Sequence, residues 1–155
     1  MAIVIFSLGS NIGNRELNLE QACMGLQEFM ADFKASHVIE TAPLYVTDQP
    51  VFLNQVVMGN TNLAPTEIVV LTKALQQQIG RIKTYQNGPR EIDIDILYYD
   101  DFIINTDDLV IPHPRIAERL FVLEPLCELV PDWVCPVTYK SVQVILDELV
   151  QRESI

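Results

Sequence analysis

The chain has 155 residues and a net charge of −11, set by 21 Asp and Glu against 10 Lys and Arg, and 49% of it is hydrophobic. That length and apolar content suit one folded domain, residues 1–155, and exclude wholesale disorder. The acidic balance excludes non-specific nucleic-acid binding, which depends on a basic face. No apolar run reaches the length of a membrane span, and Met1-Ala2-Ile3-Val4-Ile5-Phe6 lacks the basic start of a signal peptide. Cys23, Cys127 and Cys135 form neither a disulfide framework nor a metal pattern and read as buried thiols of a reducing compartment, the cytoplasm.

Residues 2–8 are a short apolar run ended by Gly9-Ser10-Asn11-Ile12-Gly13-Asn14, which predicts a buried strand and a loop. Leu19, Ala22, Cys23, Leu26, Phe29, Met30 and Phe33 then recur at helical spacing, with Asn14 as N-cap. Residues 36–41 read as a second strand closed by Ala42-Pro43, and residues 52–60 as a third, with Phe52, Asn54, Val56 and Met58 on one side. Pro65 opens a helix whose stripe is Ile68, Leu71, Leu75 and Ile79, and Gly80 stops it. Residues 81–90 form a polar loop, longer than most connections in a compact domain and a candidate lid. A fourth strand covers 91–99, and Asp100-Asp101 turn it into a hairpin partner at 102–105. Helical patterns follow at 116–129 and 141–150, separated by Pro131 and Pro136. The order through position 99 is βαββαβ, so the expected fold is α+β, a ferredoxin-like core with extra C-terminal helices and a short hairpin.

Within the fourth strand, Asp93 and Asp95 stand two apart among Ile92, Ile94 and Ile96. Residues i and i+2 of a strand share a face, so the carboxylates project together while the isoleucines pack on the other side. Like charges at that spacing repel unless a cation lies between them, and an oxygen-only pair suits Mg²⁺, which completes its octahedron with water and substrate phosphates. An Asp-x-Asp pair is also compatible with the wet face of an edge strand; the isoleucine flanks and the basic Gly88-Pro89-Arg90 turn favour the metal-phosphate reading. Five of the ten cations, Arg81, Lys83, Arg90, Arg115 and Arg119, fall between positions 81 and 119, which points to an anion site if they converge in space. His113, held between two prolines, is either a phosphate donor or a surface loop residue. His37 has no sequence partner and reads as structural. The Gly9–Gly13 loop lacks the spacing of a phosphate loop and reads first as a turn. Phe52 and Phe121 either belong to the core or, with the Asn54 amide, hold a flat heterocycle. Unaided, these residues describe a Mg²⁺-dependent enzyme that handles a phosphorylated nucleotide.

The blocks Leu8-Gly9-Ser10-Asn11, Gln49-Pro50-Val51-Phe52-Leu53-Asn54, Gly80-Arg81, Gly88-Pro89-Arg90 with Asp93-Ile94-Asp95, and Ile111-Pro112-His113-Pro114-Arg115 through Arg119 and Phe121 occur in one order along the chain. In this the chain resembles the 6-hydroxymethyl-7,8-dihydropterin pyrophosphokinase family over nearly its whole length. The resemblance implies a cytoplasmic, ATP- and Mg²⁺-dependent monomer of folate biosynthesis that moves pyrophosphate from ATP to the pterin hydroxymethyl group and releases AMP. It implies that Asp93 and Asp95 hold two Mg²⁺ ions and act in catalysis with Arg81 and Arg90. It further implies that Arg81, Lys83, Arg90, Ile96, His113 and Arg119 contact ATP, and that Thr41, Leu44, Phe52, Asn54, Asp93 and Phe121 hold the pterin. Departures from the family pattern are Gln76 where Glu is common, Phe52 where Tyr is frequent, Lys83-Thr84-Tyr85-Gln86-Asn87 where a Trp and further Arg occur, and Asp108. They bear on nucleotide binding and loop closure and spare the carboxylate pair. Two rival readings use the same residues: another metal-dependent transferase, which would release pyrophosphate or ADP, and a regulatory small-ligand domain without chemistry.

Overall fold

The computed structural model describes residues 1–80 and 87–154. Twelve elements follow in chain order: β1 (Ala2–Ser10), α1 (Arg15–Gln27), β2 (Ala31–Ala35), β3 (Ile39–Thr41), β4 (Phe52–Thr61), α2 (Pro65–Ile79), β5 (Asp93–Tyr99), β6 (Ile104–Asn105), β7 (Val110–Ile111), a 3₁₀ turn (Ile116–Glu118), α3 (Leu120–Leu129) and α4 (Val142–Glu153). The main sheet is antiparallel in the order β2-β4-β1-β5, and β3 continues the β2 edge by pairing with the start of β4. The fold is thus mixed α/β, with helices on both faces of the sheet.

Side-chain alternation in the central strands produces two cores. Val4, Phe6, Leu8, Leu53, Val57, Ile92, Ile94 and Ile96 pack toward Leu19, Ala22 and Leu26 of α1 and Ile68 of α2. On the opposite face, Ile5, Val56, Leu97 and Tyr98 pack toward Val122, Leu123 and Leu126 of α3 and Val142, Ile145 and Leu149 of α4. β1 feeds both cores, which is why it reads as a continuous apolar run. The registers of β1 with β5 shift between Ile5 and Phe6, so that Leu97 is an extra residue and the strand re-aims its side chains there.

Several helix and strand ends follow their sequence signals. The Asn14 side chain caps α1 by accepting from Leu17 N–H, Pro65 stands at the start of α2, and Gly80 ends it with φ +114°. Ser141 caps α4 through Val144 N–H.

Four expectations are corrected. First, α1 ends at Gln27, and Met30 and Phe33 lie beyond it. Met30 packs against Gly59 so closely that a Cβ there would stand 2.7 Å from the Met30 methyl, so the helix-like stripe is finished by the approach to β2. Second, the strand expected at 36–41 is two pieces. Ser36 pairs with Val56 through its backbone N–H, and its hydroxyl accepts from Val56 N–H, which interrupts the edge. Third, residues 102–105 do not pair with β5; Ile104 and Asn105 pair with Ile111 and Val110. Asp100 keeps the chain beside β1, donating its N–H to Ile3 O and accepting Ile3 N–H on its carboxylate, so no hairpin turn forms. Fourth, the helix expected at 116–129 breaks at Arg119, whose φ/ψ of −114°/95° is extended. Arg119 O then accepts from Val122 and Leu123 to start α3.

Candidate active site

The second face of the sheet changes character along its length. Antiparallel partners directly opposite each other point the same way, so three rows cross β4, β1 and β5: Met58-Ile5-Tyr98, Val56-Ser7-Asp95 and Asn54-Gly9-Asp93. The first row is apolar and lies beneath the C-terminal helices. The third is polar and small, and no helix covers it. A Cβ on Gly9 would come within 3.4 Å of Asn54 Oδ1 and 3.6 Å of the Phe52 ring, so the absent side chain leaves room beside both. An open cleft of about 600 Å³ results, lined among others by Ser7, Gly9, Thr41, Leu44, Phe52, Asn54, Arg90, Asp93, Asp95, Arg119 and Phe121.

Asp93 and Asp95 project into this cleft from one face of β5 while Ile92, Ile94 and Ile96 bury on the other. Burial first, then the Asp93 charge and a hydrogen bond from the pair, push the Asp95 carboxyl up to about 8, with Arg119 and Arg90 pulling the other way. Two carboxyls so placed share a proton near neutrality, and a divalent cation would replace it. Among the described residues no cluster of three or more His, Cys, Asp or Glu forms a closed metal cage. The donor set is therefore an open carboxylate pair, which fits Mg²⁺ held jointly by protein and substrate phosphates rather than by protein alone.

Arg90 is tied into the floor. Its Nε lies 3.4 Å from Asp93 Oδ2, its Nη1 donates to Gly88 O at 2.5 Å, and its guanidinium stacks 4.9 Å from the Phe52 ring centroid. Opposite, the Arg119 guanidinium lies 5.7 Å from the Phe121 ring. Thr41 and Asn54 meet at the pterin-side wall, where Asn54 Nδ2 donates to Thr41 Oγ1 at 2.5 Å. Leu44 is 48% exposed on the loop above them.

His113 is half-buried, and burial, followed by the Arg119 charge, lowers its pKa to about 4. The ring is neutral at pH 7. Arg115 N–H donates to Nδ1 at 3.1 Å, so Nε2 carries the proton and is a donor. Its own N–H donates to Leu97 O, which seats the Pro-His-Pro turn on the edge of β5. Of the other residues assigned to ATP, the Ile96 side chain faces the α1–α2 core and offers only its backbone to a ligand in the cleft. Arg81 and Lys83, with the rest of the loop through residue 86, lie outside the described residues.

Sequence reasoning gave no role to the amides that hold these loops together. Asn11, 2% exposed, donates to Gln49 Oε1 and Pro50 O and accepts from Arg90 N–H. Gln49 donates in turn to Val46 O and Asn87 O, so the three loops around the cleft share one network. Asn18 donates to Ile12 O and Glu91 O. Gln76, 7% exposed, accepts from Ile94 N–H, the peptide between the two aspartates. Asn and Gln carry both donors and acceptors, which suits a junction of irregular backbone. Only Gln76 left a trace in the sequence, as a polar residue one step along from the apolar stripe of α2.

Comparison with known proteins agrees with this geometry. Residues 5–131 match the family described as 7,8-dihydro-6-hydroxymethylpterin-pyrophosphokinase (HPPK). A 2-amino-4-hydroxy-6-hydroxymethyldihydropteridine pyrophosphokinase of Bacillus subtilis is 43% identical over 129 residues, covering 82% of this chain and 77% of that one. The folic acid synthesis protein fol1 of Pneumocystis carinii is 38% identical over 151 residues, 97% of this chain and 20% of the relative, so the chain spans about a fifth of that longer protein. A crystal structure of Plasmodium falciparum HPPK-DHPS, wild type with STZ-DHP, shares the fold with a TM-score of 0.83 at 17% identity, over 99% of this chain and 44% of that one.

Proposed function

The chain belongs to the 7,8-dihydro-6-hydroxymethylpterin-pyrophosphokinase family, and from that premise we propose that it transfers the pyrophosphoryl group of ATP to 6-hydroxymethyl-7,8-dihydropterin and releases AMP. The observation that carries the reading is the Asp93–Asp95 pair on the floor of a cleft whose rims are Arg90 with Phe52 and Arg119 with Phe121. A flat heterocycle fits between aromatic walls beside the Asn54 amide, and a triphosphate fits between the carboxylate pair and the cations.

In this reading the pterin hydroxyl oxygen forms a bond to the β-phosphorus. The bond from that phosphorus to the oxygen bridging to the α-phosphate breaks, AMP departs with the electron pair, and the hydroxyl proton passes to water. Asp93 and Asp95 would hold two Mg²⁺ ions, which when bound neutralise charge on the transferring phosphates and acidify the hydroxyl. Arg90, fixed by Asp93 and Gly88, presents its charge beside the pair without having to search for position. Neutral His113 and Arg119 donate to phosphate oxygens, and Thr41, Leu44, Phe52, Asn54 and Phe121 orient the pterin. Arg81 and Lys83 complete the nucleotide contacts in the proposal.

We extend the proposal to the architecture: the order β1-α1-β2-β4-α2-β5 and the sheet order β2-β4-β1-β5 support a ferredoxin-like core with C-terminal additions, forming one domain. A cytoplasmic monomer completes it; no described helix is long and apolar enough to cross a membrane. The test is chromatography of nucleotides after incubation with ATP, Mg²⁺ and 6-hydroxymethyl-7,8-dihydropterin. AMP that requires both metal and pterin supports the proposal. ADP, or AMP formed without pterin, contradicts it.

A further inference from the structure

Tyr45 lies on the loop between β3 and β4, next to Leu44, and lines the cleft while 37% exposed. An aromatic ring in such a loop ordinarily either buries or turns to water. Here it is held by three charged residues from the far side of the cleft. The Arg115 guanidinium stands 4.8 Å and that of Arg119 5.2 Å from the ring centroid. The hydroxyl accepts from Arg119 Nε at 3.1 Å and donates to Glu118 Oε1 at 2.6 Å. Glu118 also accepts from Arg115 Nη1 at 3.3 Å, which closes the group. The same hydroxyl bond holds the Glu118 carboxyl below the ordinary carboxylate range.

From these contacts we infer that Tyr45 is a positioning residue for the nucleotide, one that aims Arg119 into the cleft through its ring and hydroxyl. The reasoning starts at Arg119, which sits at the break between the 3₁₀ turn and α3, so its backbone belongs to neither helix. Its side chain is long and would sample many rotamers from that position. A flat ring on one plane of the guanidinium and an acceptor at Nε fix both the plane and its rotation. Among the described residues, no contact involves the terminal amino groups, which therefore point at the cleft as the pair that grips phosphate oxygens. Tyr45 does this from the loop that carries Leu44 and follows Thr41, so the wall assigned to the pterin and the cation assigned to the nucleotide are mechanically joined. Glu118 keeps the hydroxyl oriented, and its charge offsets part of that of the two arginines without entering the cleft.

This inference rests on the assignment of Arg119 to the nucleotide. It is tested with Mg²⁺ and α,β-methylene-ATP, whose replaced bridge blocks the transferring bond, so that binding is read without turnover. Calorimetric affinities and melting temperatures are measured for the wild type, Tyr45→Phe, Tyr45→Ala, Arg119→Ala and the Tyr45→Ala/Arg119→Ala double variant. Loss of the ring contacts should weaken binding about tenfold in Tyr45→Ala, and loss of the hydroxyl alone about threefold in Tyr45→Phe. The double variant should bind no more weakly than Arg119→Ala, since the two residues act as one unit. The inference is overturned if Tyr45→Ala binds like the wild type, if the two single losses multiply in the double variant, or if affinity merely follows a falling melting temperature. A wild-type protein that does not bind the analogue overturns the nucleotide reading itself, and the role of Tyr45 with it.

Discussion

The two ends of one sheet face use the same three strands for opposite purposes. At one end Met58, Ile5 and Tyr98 stand in a row under α3 and α4, and Ile5 and Tyr98 are almost wholly buried. Two steps further along each strand, the row Asn54-Gly9-Asp93 is uncovered and polar. Backbone pairing continues unchanged between them. What differs is side-chain identity, and with it whether a helix can settle there. A rigid sheet stabilised at its covered end can carry at its open end a carboxylate pair that repels itself. Stability and chemistry are separated by about the length of four residues.

Breaking the open end should have the largest effect on turnover. Asp95→Ala removes one of the two proposed metal ligands, and AMP release should fall by about a thousandfold or more, as when a main charge-stabilising group is lost from phosphoryl transfer. The melting temperature should hold or rise, because the variant also removes the repulsion with Asp93. Near wild-type turnover in that variant would remove the carboxylate pair from the mechanism.

Breaking the covered end should do the reverse. Leu123 is fully buried in the second core, and Leu123→Ala should cost about 2–5 kcal/mol of unfolding free energy in a urea titration. AMP release per folded molecule should stay the same. A turnover defect larger than the loss of folded protein would show that the two ends are not separable.

A smaller effect is expected at the wall. Phe52→Ala should raise the KM for the pterin about tenfold, equivalent to about 1.4 kcal/mol, while Phe52→Tyr keeps the stacking face and the affinity. Steady-state assays with varied pterin decide this.

The smallest effect concerns pH. In the metal-free protein Asp95 holds its proton up to about 8, whereas in the unfolded chain it releases it near the ordinary carboxylate value. Its protonated form therefore favours folding. That contribution is complete below the unfolded pKa and is lost as pH rises through about 8. In EDTA, wild-type stability should decline across this window relative to Asp95→Asn, which has no proton to lose; parallel curves for the two proteins would contradict the assignment.

Much of this was legible in the sequence because it depends on local pattern. The alternation of Asp93 and Asp95 with Ile92, Ile94 and Ile96 states which side chains share a face, and the sheet needs no further information to separate them. Pro65, Gly80, Asn14 and Ser141 punctuate helices by their own chemistry. What was not legible depends on contacts distant in the chain. The edge strand β2 has mostly exposed residues and no alternation, so only its pairing with β4 defines it. The break at Arg119 lies inside a helical pattern of apolar residues, and it is the packing of α3 on the sheet that separates the two pieces. Asn11, Gln49 and Tyr45 acquire their roles from partners 38 to 79 residues away in sequence, and no spacing rule reaches that far.

The most direct test of the central claim is phosphorus NMR of the complete reaction with ATP, Mg²⁺ and 6-hydroxymethyl-7,8-dihydropterin. If the open end of the sheet face performs pyrophosphoryl transfer, AMP and a pterin diphosphate ester should grow together in equal amounts, without orthophosphate. ADP with a pterin monophosphate, or free pyrophosphate with a nucleotidyl-pterin, would contradict it.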